Sequence, residues 1–223
     1  MTRRIDAHHH VWRLDRGDYD WITAGDYPTL RRDFDWQELK PLLEQHDMHA
    51  SVLIQAADSV AETHYMLKVA VQAPFIKAVV GWVDMVAPAA PDVLANLAED
   101  PLFRGIRPSL MNVEDASWIL EDSQQRTLAA LTALGLVFDA LVWPSQLPSL
   151  LEAMRRNPEL GVVINHFAYP DIASGDLDTW RRVMAINLDG IVIGCKLALP
   201  NMRKIGGAIV NISSIAAHKG WPG

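Results

Sequence analysis

Short apolar runs alternate along the chain with amphipathic stretches. The run 4–12, "RIDAHHHVW", reads as a first strand, and 35–48, "DWQELKPLLEQHDM", as a helix. Strands are expected at 50–57, 76–85, 103–110, 136–143 and 161–167. Helices are expected at 60–74, 90–100, 123–135 and 145–158. Pro74 marks the end of one helix, and Gly135 supplies the left-handed residue that closes another. Strands separated by amphipathic helices in strict alternation imply a parallel sheet with helices outside it.

The fold class expected is therefore α/β. An open doubly wound sheet and a (β/α)8 TIM-type barrel both satisfy the alternation. No glycine-rich phosphate loop follows the first strand, whereas polar residues crowd its C-terminal end, where barrel active sites sit. That favours the barrel. A complete one takes about 250 residues, and only about six strand–helix units fit before Gly175, so the barrel is incomplete.

Composition narrows the function. The 223 residues are half apolar and 21% charged, as in ordinary globular proteins, with a formal charge of −7. The negative balance argues against nucleic acid and anionic membranes as partners and leaves a small-molecule substrate. A single cysteine, Cys195, excludes an internal disulfide. The first residues lack an apolar signal core, and no apolar run is long enough to span a bilayer. A cytoplasmic protein is expected.

Alternation along the first strand puts His8 and His10 on one face and His9 on the other. Two imidazoles so spaced can ligate a divalent metal such as zinc or polarise a carbonyl oxygen. His166 ends the sixth strand on the same barrel face, and three nitrogens with an open fourth position are the layout of a catalytic metal site. Arg107, in "GIRP", offers a planar donor fork for a carboxylate or a hydroxylated substrate. Gln55 and Asp84 end strands and are weaker candidates; Asp139, in mid-strand, reads as a buried structural partner. His46, His49, His64 and His218 read as surface residues, and Trp12, Trp21, Trp82 and Trp143 as core or rim aromatics.

The ordered series "RIDAHHHVWRLDRGDYDWI", "VLIQAA", "VVGWVD", "GIRP", "LVFDALV" and "NHFAYPDIASGD" resembles the amidohydrolase-related family in its sugar-lactonase branch, over residues 3–176. The resemblance implies a (β/α)8 barrel that opens lactones or related carbonyl substrates with water. It implies that His8 and His10 are the first-strand pair, His166 the later-strand histidine and Arg107 a substrate-binding arginine. Two features depart from the pattern. Asn165-His166 stands where the family usually has Asp-His, and no strand carries the family's general-base aspartate. Loss of a general base costs about 10²–10⁴-fold in rate, so an impaired lactonase is expected.

From about Leu177 the sequence changes character. "DTWRRVMAINLDGIVIGCKLALPNMRKIGGAIVNISSIAAHKGWPG" resembles the short-chain dehydrogenase/reductase family, a Rossmann-fold group. That resemblance implies that Asn187 is the catalytic asparagine and Ser214 the substrate-binding serine. The family's glycine-rich cofactor loop and its Tyr-x-x-x-Lys pair are not found in this sequence, so NAD(P) binding is not expected. The sequence thus reads as a chimera with domains 1–176 and 177–223, joined near "GDLDTWRRVMAINLDG". An inactive chimera and a reductase fragment are the rival readings. The tail is expected to supply a helix, about 178–204, and a strand, 207–214. An open barrel leaves unpaired strand edges, and marginal stability or a homodimer through that edge is expected.

Overall fold

The strands end earlier than the apolar runs that encode them. A computed structural model describes residues 4–22, 25, 27–169 and the single positions 178, 181 and 185. Its six strands are β1 (Ile5–His9), β2 (Ala50–Ile54), β3 (Ile76–Gly81), β4 (Phe103–Ile106), β5 (Val137–Ala140) and β6 (Gly161–Ile164). Five α-helices alternate with them: α1 (Trp36–Gln45), α2 (Val60–Gln72), α3 (Ala90–Ala98), α4 (Asp122–Ala133) and α5 (Leu147–Arg156). The C-terminal ends of the apolar runs leave the sheet and become βα loops. Short 3-10 turns, which the sequence pattern did not disclose, occupy 14–16, 110–112, 118–120 and 144–146.

All five strand pairings are parallel and follow chain order, β1-β2-β3-β4-β5-β6. The sheet curls into a half-barrel with helices on its outer side, which is the expected incomplete barrel. Among the described residues, β1 pairs only with β2 and β6 only with β5. The expected tail helix and strand, Asn187, Ser214 and the second domain lie outside the described residues, the three single positions aside.

Helix ends follow the expected chemistry. The Ser59 hydroxyl accepts from the Glu62 amide at 3.0 Å and caps α2. Gly135, at φ 65°, follows the end of α4. The core lies between sheet and helices, where Leu53, Val79, Phe103, Ile106 and Phe138 are fully buried with Met66, Leu94, Leu128 and Leu131. At Gly105, a Cβ would stand 2.2 Å from the Val137 carbonyl oxygen, so the β4–β5 pairing admits only glycine there.

The long β1–α1 segment builds a small core of its own. Trp12, Tyr19 and Ile22 pack with Ala57 from the β2–α2 loop. The Trp12 indole donates to the Arg32 carbonyl at 2.8 Å, and Trp12 and Phe34 form an antiparallel bridge. This lobe is thereby fixed beside the C-terminal ends of the strands.

Candidate active site

β1 carries an irregularity where the chemistry lies. Asp6 pairs with Ser51 but His9 with Leu53, so three steps along β1 oppose two along β2. Bulges of this kind re-aim side chains beside active sites. The His8 and His10 Nε2 atoms nonetheless come within 3.0 Å of each other, on one face as the alternation predicts. His10 Nδ1 lies 2.8 Å from the Ile54 carbonyl oxygen. A carbonyl only accepts, so Nδ1 carries the proton and Nε2 presents its lone pair toward His8. His9 is buried on the opposite face.

His166 comes from the turn after β6, and its ring centroid is 5.0 Å from that of His8. The turn is unusual: His166, Phe167, Ala168 and Tyr169 all have positive φ, between 45° and 59°. The left-handed conformation costs a non-glycine residue roughly 1–2 kcal/mol, and such strain clusters at functional sites.

Arg107 follows β4 and is 6% exposed. Its guanidinium donates through Nη2 to the Gln55 carbonyl and through Nη1 to Asn165 Oδ1 at 3.5 Å. Its Nε–H has no partner among the described residues. Gln55, fully buried, donates back to the Arg107 carbonyl and to Asp58 Oδ1 at 3.2 Å. Ser109 donates to the same Asp58 oxygen at 2.9 Å. Asn165 also donates to Asp139 Oδ1 at 2.6 Å. One network therefore ties the ends of β2, β4, β5 and β6 beneath the histidines.

Burial dominates the electrostatics. It pushes His10 down to about 3 and His166 to about 4, and the Arg107 cation pushes both further the same way. His8 is lowered by burial first, then by His10 and Arg107. All three are neutral near pH 7, the form that ligates metals and accepts hydrogen bonds. Asp139 is pushed up to about 6 by burial, against the pull of the Asn165 hydrogen bond and of Arg107.

The donor chemistry fits a zinc ion in part. Bonds of about 2.0–2.1 Å in tetrahedral geometry put two ligand nitrogens about 3.3 Å apart, close to the 3.0 Å between the His8 and His10 Nε2 atoms. No group of three His, Cys, Asp or Glu among the described residues is arranged to hold a metal. His166 meets His8 ring to ring and does not complete such a set.

The sequence candidates His8, His10, His166, Arg107 and Gln55 thus gather at one mouth. Asp84 does not join them: it is exposed, and its carboxylate accepts from the Val86 amide in a local turn. His46, His49 and His64 are exposed. Asp139 is the buried structural partner expected. Residue type and spacing did not single out Asp58 or Ser109, which the fold brings to Gln55 from separate loops. Nor did they single out Tyr169, whose ring lies 5.0 Å from His166.

Comparison with known proteins bears on family and fold. The family model described as Amidohydrolase matches residues 5–194. An L-fucono-1,5-lactonase of Burkholderia ambifaria is 41% identical over 198 residues, 89% of this chain and 68% of that protein. Two crystal structures of an amidohydrolase from Burkholderia multivorans, one with bound HEPES and one with bound zinc, superpose with TM-scores of 0.75 and 0.73 at 33% identity. They cover 82% of this chain, which spans 65% of their length. A shorter match, 36% identical over 92 residues, covers 40% of this chain and 36% of a trans-4-hydroxycyclohexanecarboxylate dehydrogenase from Sinomonas cyclohexanicum. No helix among the described residues is long and apolar enough to cross a membrane. Fold, site and similarity together place the chain in the amidohydrolase family.

Proposed function

We propose that this chain opens a sugar-type lactone with water. The observation that carries the reading is the paired His8 and His10 nitrogens, 3.0 Å apart, at the strand ends beside Arg107. The likeness to an L-fucono-1,5-lactonase supports the substrate class.

The residues divide the work. His10, its Nδ1–H held by the Ile54 carbonyl, keeps its ring fixed with Nε2 beside that of His8. His8 provides the second neutral nitrogen, and His166 closes the far side through its ring. A zinc ion, if bound, would be held by His8 and His10 and would supply Lewis acidity. Arg107, fixed by Gln55 and Asn165, sets a positive charge beside the histidines that attracts a carbonyl or hydroxyl oxygen. Water adds to the carbonyl carbon, the ring C–O bond breaks, and a hydroxy acid leaves. Imidazoles of such low basicity accept hydrogen bonds and ligate better than they take protons. The described acid nearest neutrality in this network is Asp139, at about 6.

The test is opening of L-fucono-1,5-lactone by the purified full chain, followed with a pH indicator with and without added zinc. Replacing His8 and His10 together with alanine abolishes the activity. Hydrolysis that survives the double substitution refutes the site.

The tail carries a second reading, that residues 177–223 derive from a reductase; the short dehydrogenase match favours it. On that reading Asn187 and Ser214 are passengers, and NAD(P)H added to this chain leaves its fluorescence unchanged. The homodimer through an open strand edge is likewise a proposal, tested by sedimentation.

A further inference from the structure

The mouth is walled by aromatic rings that are both exposed and fixed. Trp143, just after β5, is 41% exposed. Its indole N–H donates to the Met111 carbonyl at 2.9 Å, and its backbone N–H donates to Gln146 Oε1 at 2.9 Å. Gln146 is buried and anchored in turn, donating to the Leu110 carbonyl at 2.7 Å. The indole is thus held at both backbone and ring while much of its face stays exposed. Preorganised exposed aromatic surface is what a binding site requires.

The position of this indole gives its use. The Tyr169 ring lies 5.4 Å from Trp143 and 5.0 Å from His166, and His166 lies 5.0 Å from His8. A continuous file of rings therefore runs from the histidine pair to Trp143. Tyr169 also lies within electrostatic reach of both Arg107 and Tyr27. Beside Trp143 opens a cleft of about 240 Å³. Asn112, Glu114 and Ser145 line it with side chains that hold no partner among the described residues. An aromatic wall facing a carboxylate, an amide and a hydroxyl matches a ring with C–H groups on one face and hydroxyls at its edge.

We propose that Trp143, continued by Tyr169, is the specificity wall of the site: the apolar C–H face of a hydroxylated lactone ring stacks on it, with hydroxyls toward Asn112 and Glu114. The proposal rests on the lactonase reading and adds the recognition element to it. It makes Trp143 a binding residue that selects hydroxylated rings over bare ones.

Full-length wild type, Trp143→Ala, Trp143→Leu and Trp143→Phe are compared by melting temperature, then by initial rates on L-fucono-1,5-lactone and on unsubstituted δ-valerolactone. Trp143→Ala raises KM for the sugar lactone roughly tenfold, with a smaller change in kcat and little change for δ-valerolactone. Trp143→Phe restores most of the loss, and Trp143→Leu, which keeps apolar volume without a ring face, does not. An unchanged KM in Trp143→Ala, or full rescue by leucine, overturns the wall. If wild type opens no lactone, the hydrolytic reading fails by itself. The wall is then read from saturation-transfer NMR of L-fucose, a ring without the ester: binding by wild type that Trp143→Ala loses upholds it, and binding by neither or by both overturns it.

Discussion

Glu62 offers a quantitative check on how the βα loops are held. Its side chain is fully buried, yet it is a carboxylate. It accepts from the Ala56 amide at 3.1–3.2 Å and from the Ala57 amide at 2.7 Å. Those contacts set the loop that begins with Gln55. Burial pushes the group up from 4.5 to about 7, and the amide hydrogen bonds moderate the rise. A folded-state value above the unfolded one means stability fully present below about 4.5 and lost as pH rises through about 7. A shift of two to three units at about 1.4 kcal/mol each makes the loss ~3 kcal/mol. The buried histidines slope the other way, because their folded values are depressed: their contribution is present above 6.5 and is lost as pH falls toward about 4 at His9 and His166. The clean measurement is therefore the difference between wild type and Glu62→Gln in urea unfolding from pH 5 to pH 8. Glutamine keeps an acceptor for the amides and cannot ionise. The difference should shift in favour of the variant by about 2–3 kcal/mol over that range. A flat difference would show that Glu62 titrates near the ordinary carboxylate value, and the account of the loop would fail.

Two further outcomes follow from the packing. Gly105→Ala drives a methyl group against the Val137 carbonyl oxygen and lowers the urea midpoint by the equivalent of about 2 kcal/mol or more; an unchanged midpoint would show that β4 and β5 are not so closely paired. Asn165→Ala strips the 2.6 Å donor from buried Asp139, costing about 1–3 kcal/mol of stability, and raises KM for the lactone as Arg107 loses its support; a variant unchanged in both refutes the network.

The alternation of elements was legible because each strand and helix carries its own period. The histidine pair was legible because two residues along a strand return to the same face. Strand lengths were not, since loop residues such as "LVW" at 141–143 are as apolar as the strand they follow. Gln55 was named as a weak candidate for ending a strand, but its grip on Arg107 spans 52 positions and has no local signature. The left-handed turn at 166–169 was hidden too, because none of its residues is the glycine that normally announces positive φ.

Asn165 shows why a departure from a family's residue pattern is informative once the fold is known. Asp139 and Arg107 are both buried beside it, and it serves both: its amide nitrogen donates to the carboxylate and its oxygen accepts from the guanidinium. An aspartate at this position could accept from Arg107 but could not donate to Asp139 unless protonated. Two carboxylates at that separation cannot both ionise near pH 7. The amide therefore allows Asp139 to remain a single acid at about 6, balanced by one cation. It leaves the three neutral histidines above it free of a second negative charge that would raise their basicity. The histidines are kept neutral first by burial, and the one buried cation of the network pushes them the same way.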